Sequence, residues 1–348
     1  MPKRILVTGG AGFIGSNLIR HLLKQEDVEK VINLDALTYA GNPISLQEVR
    51  DHKSYVFQEG RIQDRELVNQ LLKNWDVSHV MNLAAESHVD RSIEGPDAFI
   101  QTNIVGTFEL LEACRQHQSE NKRNLRFLHV STDEVFGSLD ADGKFTETTP
   151  YAPNSPYAAS KASSDMLVRA YQKTYGLDCI ITNCSNNYGP YQFPEKLIPL
   201  VILKAKRGET IPVYGKGENI RDWLHVTDHA EALYSAISNG QNGKTYNIGG
   251  DQEVRNIDLV KMICGILDQI CPRQDKSPYA NQIQFVQDRP GHDFRYAIDA
   301  SKIKDELGWT PNHSIQTGLK STVQWYLDNS EWSEAVLSRG YKLQRLGI

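Results

Sequence analysis

The sequence offers no membrane span. Its longest apolar run, Leu197–Leu203, is broken by Pro199, well short of the ~18–20 residues that cross a bilayer as a helix. Cysteine is sparse. Cys114, Cys179, Cys184, Cys264 and Cys271 are scattered, with no Cys-x-x-Cys pair, which speaks against a disulfide scaffold or a zinc site and for reduced thiols. Charge of one sign is also lacking. A formal net charge of −5 over 348 residues gives no reason to expect nucleic acid or an anionic membrane as a partner. No low-complexity tract or repeat of about 20–50 residues is visible. Residues 1–10 run straight into an apolar strand without a cleavable-signal pattern, so a soluble, cytoplasmic protein is expected. With 40% hydrophobic and 23% charged residues, the composition is that of a folded globular chain.

The first half alternates β-branched runs with helical periodicity. Strands are expected at 4–8, 30–34, 55–57, 79–83, 126–130 and 178–182. Helices are expected at 13–23, 64–73, 97–117 (one long helix) and 155–175. Such alternation implies right-handed βαβ units, a parallel sheet and helices on both faces. Beyond about residue 186 the prolines at 190, 194, 199 and 212 cut the chain into short pieces, and Tyr246-Asn247-Ile248 reads as a strand returning to the sheet. The expected fold is α/β: a Rossmann-type doubly wound sheet with a smaller mixed α/β C-terminal substrate domain. The sheet domain would take 1–185 plus about 222–250, and the smaller domain about 186–221 plus 251–348, set over the carboxyl ends of the strands, where open sheets bind ligands.

Gly9, Gly12 and Gly15 lie between the first strand and the first helix in G-x-x-G-x-x-G spacing. Glycine there permits a tight turn and lets a pyrophosphate approach the helix N-terminus, where free N–H groups and the dipole favour anions. Asp35 closes the second strand 20 residues after Gly15. An acid there suits the ribose hydroxyls of the adenosine and repels a 2′-phosphate, so NAD is expected rather than NADP. Leu83, Ala84 and Ala85 end the fourth strand. They either lie against the cofactor or allow close helix–sheet packing, and the residues alone leave both open.

Tyr157 and Lys161 form a Tyr-x-x-x-Lys pair on one helix face. Tyrosine titrates near 10. A lysine ammonium and a positively charged nicotinamide nearby would favour the phenolate. Ser131, Thr132, Asp133 and Glu134 follow the fifth strand. A hydroxyl followed by two carboxylates exceeds what hydride transfer needs. Eliminating water beside a ketone requires a base for the α-proton and an acid for the departing hydroxyl, and adjacent carboxylates can divide those tasks if their environments separate their pKa values.

Together the glycine turn, the Thr132-Asp133-Glu134 run and the Tyr157/Lys161 pair resemble the extended short-chain dehydrogenase/reductase family, and within it the sugar-nucleotide 4,6-dehydratases. The segments 35–42, 85–92, 184–191, 194–199, 221–225 and 288–293 carry the same resemblance. It implies dTDP-glucose as substrate. Tyr157 would take the proton from the sugar O4 while C4 passes a hydride to NAD, and Thr132 would bond the same oxygen. Glu134 would remove the C5 proton, Asp133 would protonate the departing C6 hydroxyl, and the hydride would return to C6. Lys161 would hold the nicotinamide ribose and lower the Tyr157 pKa.

The same resemblance places Phe13, Ile14, Leu37, Thr38, Arg61 and Ile62 around the cofactor, with Ser87, Thr102 and Asn187. Around the sugar nucleotide it places Ser87, Thr132, Asn186, Lys196, Leu197 and Pro212, with Tyr214, Asn256 and His292. Arg221 and Arg289 are planar, permanent cations suited to the substrate pyrophosphate. It also implies a homodimer joined by the helices near 97–117 and 155–175. Three positions depart from the pattern: Arg61 and Asn183 stand where an aspartate and an arginine are usual, and Phe136 where a tyrosine is usual. Arg61 stacking on the adenine is one expectation. A UDP-glucose dehydratase, a sugar-nucleotide 4-epimerase and an NAD-binding sensor remain open alternatives.

Overall fold

Side chains of successive strand residues point to opposite faces, and the central strands here are apolar on both. Ile5, Val7, Val31, Leu128, Val130 and Ile180 pack into the core on one face. Leu6, Ile32, Leu34, Phe127, Cys179 and Ile181 pack into the core on the other. A strand with two apolar faces must be covered twice, which is the condition for a parallel sheet between helix layers. The computed structural model describes residues 2–121, 124–288, 290–338, 341 and 343.

The sheet is built from β1 (Lys3–Thr8), β2 (Val28–Asp35), β3 (Tyr55–Glu59), β4 (His79–Asn82), β5 (Arg126–Thr132) and β6 (Asp178–Cys184). Later strands are β7 (Asn186–Tyr188), β8 (Ile211–Tyr214), β9 (Ile220–His225), β10 (Thr245–Ile248), β11 (Glu253–Arg255) and β12 (Ile283–Val286). The seven-stranded order is β10-β6-β5-β4-β1-β2-β3, parallel throughout. The order reverses at β1, so a crevice opens between the β1 and β4 carboxyl ends. The longer helices are α1 (Phe13–Leu22), α2 (Arg65–Asn74), α3 (Thr107–Asn121), α4 (Pro156–Tyr175), α5 (Leu197–Lys206), α6 (Val226–Asn239), α7 (Asn256–Ile270) and α8 (Ile315–Asp328). α1 packs on α6 against one face, and α2, α3 and α4 pack on one another along the other.

Two expectations about elements are corrected. The helix expected over 97–117 is not uniform: Ile100–Gly106 is π-helical before α3 begins. A tertiary bond reaches its backbone at Asn103, and two more hold the side chain of that residue. Ser164 Oγ donates to the Asn103 carbonyl at 2.6 Å, and the Asn103 side chain donates to Ser160 Oγ and the Glu86 carbonyl. The 197–203 run is not a broken piece either. It forms α5, in whose first turn Pro199 lacks only an N–H that has no intrahelical partner. Residues 186–338 hold a separate core, with Val201, Ile202, Leu259, Ile263, Leu319 and Tyr326 among its members. A three-stranded sheet, β11-β9-β7, and the β12-β8 pair accompany it. Ile303 and Trp309, late in the chain, nonetheless join the core of the large sheet.

Candidate active site

One cavity of about 640 Å³ runs along the carboxyl ends of the large sheet. Its floor at β1 is the glycine turn. Gly9 has φ +72°, and a Cβ there would lie 2.8 Å from the Ala84 Cα; one on Gly15 would collide with the Gly9 carbonyl. The turn therefore excludes side chains where the chain passes closest to itself. Gly12 caps α1 without a side-chain bond, which leaves first-turn N–H groups to a ligand. The Asp35 carboxylate accepts from Ala11 N and Leu37 N, each at 2.8 Å. Burial pushes it up, and those two amides pull it back.

The chemical end of the cavity is lined by Thr132, Asp133, Glu134, Tyr157 and Lys161. β5 ends at Thr132, whose hydroxyl caps the following turn by accepting from Glu134 N at 3.3 Å. Asp133 is 2% exposed. Its carboxyl stands well above the usual carboxylate range because of burial first, then the Glu134 and Asp222 charges, with Arg221 opposing. Glu134 is half-buried and opens on the cleft. The neighbouring carboxylates thus occupy different environments. Burial, with Glu134 adding to it, pushes the Tyr157 phenol well above its ordinary value, while a hydrogen bond with Thr132 pulls the other way. Lys161 donates to the Val130 carbonyl at 2.8 Å.

Gly9, Gly12, Phe13, Ile14, Gly15, Asp35, Thr38, Arg61, Ile62 and Leu83 also line this cavity, as do Ala84, Ala85, Ser87, Thr102, Asn186, Asn187 and Lys196. Leu37 does not; it turns away with φ +48° while its amide holds Asp35. Leu197, Pro212, Tyr214, Arg221, Asn256 and His292 lie outside its wall. Tyr214 is tied to Asp90 at 3.2 Å and His292 to Asp288 at 2.7 Å. Arg221 is buried over the Tyr296 ring and bonded to the Asp293 and Phe294 carbonyls. Arg289 lies outside the described residues. Sequence reasoning did not name Cys184, Ser185, Gln192, Phe193 and Glu195 as site residues, although they line the cavity from the β6 end and the loop before α5; Cys184, Ser185 and Glu195 lie in segments that carry the family resemblance, and Gln192 and Phe193 fall between them. Phe136 stacks on Phe145 and meets Tyr151 edge-on. Asn183 donates to the Thr132 carbonyl at 3.0 Å.

A doubly wound sheet, a glycine cradle at its switch point and a Tyr–Lys pair beside two carboxylates define a dinucleotide-dependent enzyme of the extended short-chain dehydrogenase/reductase class. The chain belongs to the GDP-mannose 4,6 dehydratase family, whose model matches residues 6–322. It is 57% identical over 346 residues to the dTDP-glucose 4,6-dehydratase of Xanthomonas campestris, covering 98% of each chain. Among solved structures it resembles the dTDP-glucose 4,6-dehydratase of Bacillus anthracis in complex with NAD (47% identity, TM-score 0.86, 96% of this chain and 99% of that one). The Streptomyces venezuelae enzyme of the same name, also with NAD bound, is similar at 45% identity and a TM-score of 0.87, with 96% and 99% covered.

Proposed function

We propose that the protein converts dTDP-glucose to dTDP-4-keto-6-deoxyglucose and water with NAD as resident cofactor. The observation that carries this reading is the Asp133–Glu134 pair in the same cavity wall as Tyr157 and Lys161, one carboxyl buried and the other open to the cleft. The cleft fits a dinucleotide: Gly9 and Gly15 of its cradle leave no room for a side chain, the first-turn amides of α1 are left uncapped, and Asp35 stands where ribose hydroxyls would bind. Bound there, NAD supplies a hydride acceptor that becomes a donor within the same turnover.

This chain's residues do the proton work. Tyr157 accepts the O4 proton as a phenolate, the form that the Lys161 ammonium and a bound nicotinamide cation would favour against the burial that raises its pKa, and Thr132 bonds that oxygen. Glu134 takes the proton at C5, which the new 4-ketone acidifies. Asp133, kept protonated by its surroundings, hands its proton to the C6 hydroxyl as water leaves. Lys196, in the cavity wall, serves the substrate pyrophosphate. A 4-epimerase needs Tyr157 and Lys161 but has no elimination for Asp133 to serve. Incubation with dTDP-glucose and NAD separates the readings: a 4-keto-6-deoxy product is expected, whereas a galactose isomer or unchanged sugar would overturn the assignment. Comparing kcat/KM for the dTDP and UDP sugars tests the base, and equal values would contradict thymidine preference.

A homodimer through α3 and α4 accords with the exposed Phe108 and Met166 on those helices; a monomer at micromolar concentration in sedimentation would contradict it. A reducing, cytoplasmic setting accords with five free cysteines, four of them buried. Among the described residues no helix is long and apolar enough to cross a membrane. The division into a cofactor domain and a sugar-nucleotide domain accords with their separate cores.

A further inference from the structure

Tyr157, Lys161 and Asp165 follow one another at four-residue intervals on α4 and so share one face of the helix. The first two line the cavity, and the third lies one turn deeper. Asp165 is 0% exposed and Lys161 4%. Asp165 Oδ2 accepts from Ser131 Oγ at 2.7 Å and from Tyr151 Oη at 2.9 Å. Its Oδ1 lies 3.4 Å from His129 Nε2, and that nitrogen is 3.5 Å from Lys161 Nζ.

The partners beyond His129 determine how it can serve. Ala84 N donates to Thr8 Oγ1 at 3.1 Å, so the Thr8 hydroxyl donates onward to Asn82 Oδ1 at 2.7 Å. Asn82 therefore presents its NH₂ to His129 Nδ1 at 3.1 Å. That nitrogen then accepts and the ring proton sits on Nε2, which faces both Asp165 Oδ1 and Lys161 Nζ, so the ring offers the lysine no acceptor. Burial holds His129 far below its ordinary value, with Lys161 adding to the effect. A neutral ring cannot balance the lysine charge.

We propose that Asp165 is a positioning residue for the reaction: its buried carboxylate is the counter-charge that holds Lys161 as an ammonium one turn behind Tyr157. Two hydroxyl donors alone do not call for a carboxylate, since an amide or a carbonyl oxygen would accept them without burying a charge. A buried ammonium does call for one. The surroundings of the pair are His129 and Ser131 from β5, Asn183 and Cys184 from β6, and Tyr151 from the preceding loop, with Arg169 beyond it. Burial pulls the Lys161 ammonium down, and Asp165 is the first group opposing that pull. Asp165 itself is pushed up to about 6 by burial, against the pull of Lys161, so it is charged across the alkaline range in which a lysine loses its proton.

The proposal rests on the reading of Tyr157 and Lys161 as reaction partners, and two measurements on the holoenzyme keep the questions apart. In Asp165→Asn the alkaline limb of the kcat–pH profile moves to lower pH by at least about one unit, because removing an anion makes an ammonium easier to deprotonate. Asp165→Glu keeps the charge and restores most of the limb. A limb that stays in place while kcat falls would overturn the proposal and leave the functional reading intact. The second measurement needs no turnover: a Tm cycle with Lys161→Met, Asp165→Asn and the double variant. The double variant recovers part of the Tm lost in Asp165→Asn, because the uncompensated ammonium has gone. Strictly additive losses would overturn the proposal, even where Asp165→Asn alone folds poorly or the parent shows no dehydratase activity.

Discussion

Asp133 and Glu134 are adjacent in the chain, yet Arg221 and Asp222 of β9 are felt by Asp133, which is 2% exposed, while Glu134 borders the open cavity. The 3-10 turn that follows β5 separates them, so consecutive residues provide the two environments that the proposed acid and base of an elimination require. Amide substitution of both, Asp133→Asn with Glu134→Gln, should lower kcat by about 10²–10⁴-fold or more, the range of a lost general acid or base, with bound NAD unchanged. Turnover of dTDP-glucose at the parental rate would end the dehydratase reading.

Asp133 also carries a stability cost. Its folded pKa is raised, so the folded state holds a proton that the unfolded chain releases above the ordinary carboxylate value near 4. Stability from this group is full below that value and declines as pH rises toward the folded pKa. Asp133→Asn should therefore raise Tm at pH 8 and leave it unchanged at pH 4. Calorimetry at the two pH values checks this, and a lower Tm at pH 8 would contradict it.

Buried histidines act with the opposite sign. Burial first pulls His229 down to about 3, and His225 and His79 to about 4. Below about pH 6.5 the unfolded chain binds protons that these rings refuse. Stability is therefore full above 6.5 and falls as pH drops toward 4, by at most about 1.4 kcal/mol per pH unit for each ring. His229→Asn should flatten the acid slope of Tm against pH. Because His229 Nδ1 meets Asn187 Oδ1 at 2.8 Å at the cavity wall, the variant should also weaken NAD retention.

Gly15→Ala would place a methyl against the Gly9 carbonyl oxygen and the Gly10 Cα, both backbone atoms without freedom to move. The turn must open, and the α1 amides lose their aim. Purified variant should contain little NAD where the parent retains it, measured by release of nucleotide on denaturation. Equal content would show that the cradle tolerates the methyl.

Arg61 follows Gly60 at the end of β3 and stands exposed on the rim of the cavity. Stacking of its guanidinium on the adenine is worth about 0.5–2 kcal/mol, so Arg61→Ala should raise the NAD Kd by about 2–30-fold. Titration calorimetry on stripped protein gives the answer, and an unchanged Kd would remove Arg61 from the cofactor site.

Much of this was legible in the chain because it depends on short-range periodicity and spacing. Apolar runs with turn residues between them specify β1 to β6 and the helices that cover them. The interval from Gly9 to Asp35 places a cradle and an acid at one sheet edge, and the four-residue step from Tyr157 to Lys161 puts both on one helix face. Asp165, one further step along, could have been found by the same rule. Tertiary structure decided what no interval encodes. Within the π-helical stretch at 100–106, Asn103 is bonded by Ser160, Ser164 and Glu86, which lie elsewhere in the sequence. The difference between Asp133 and Glu134 exists because β9 comes to lie beside one of them. Spacing along the chain orders residues on a single element; burial and charge environment are set by elements that arrive from elsewhere, and these decide which carboxyl keeps its proton.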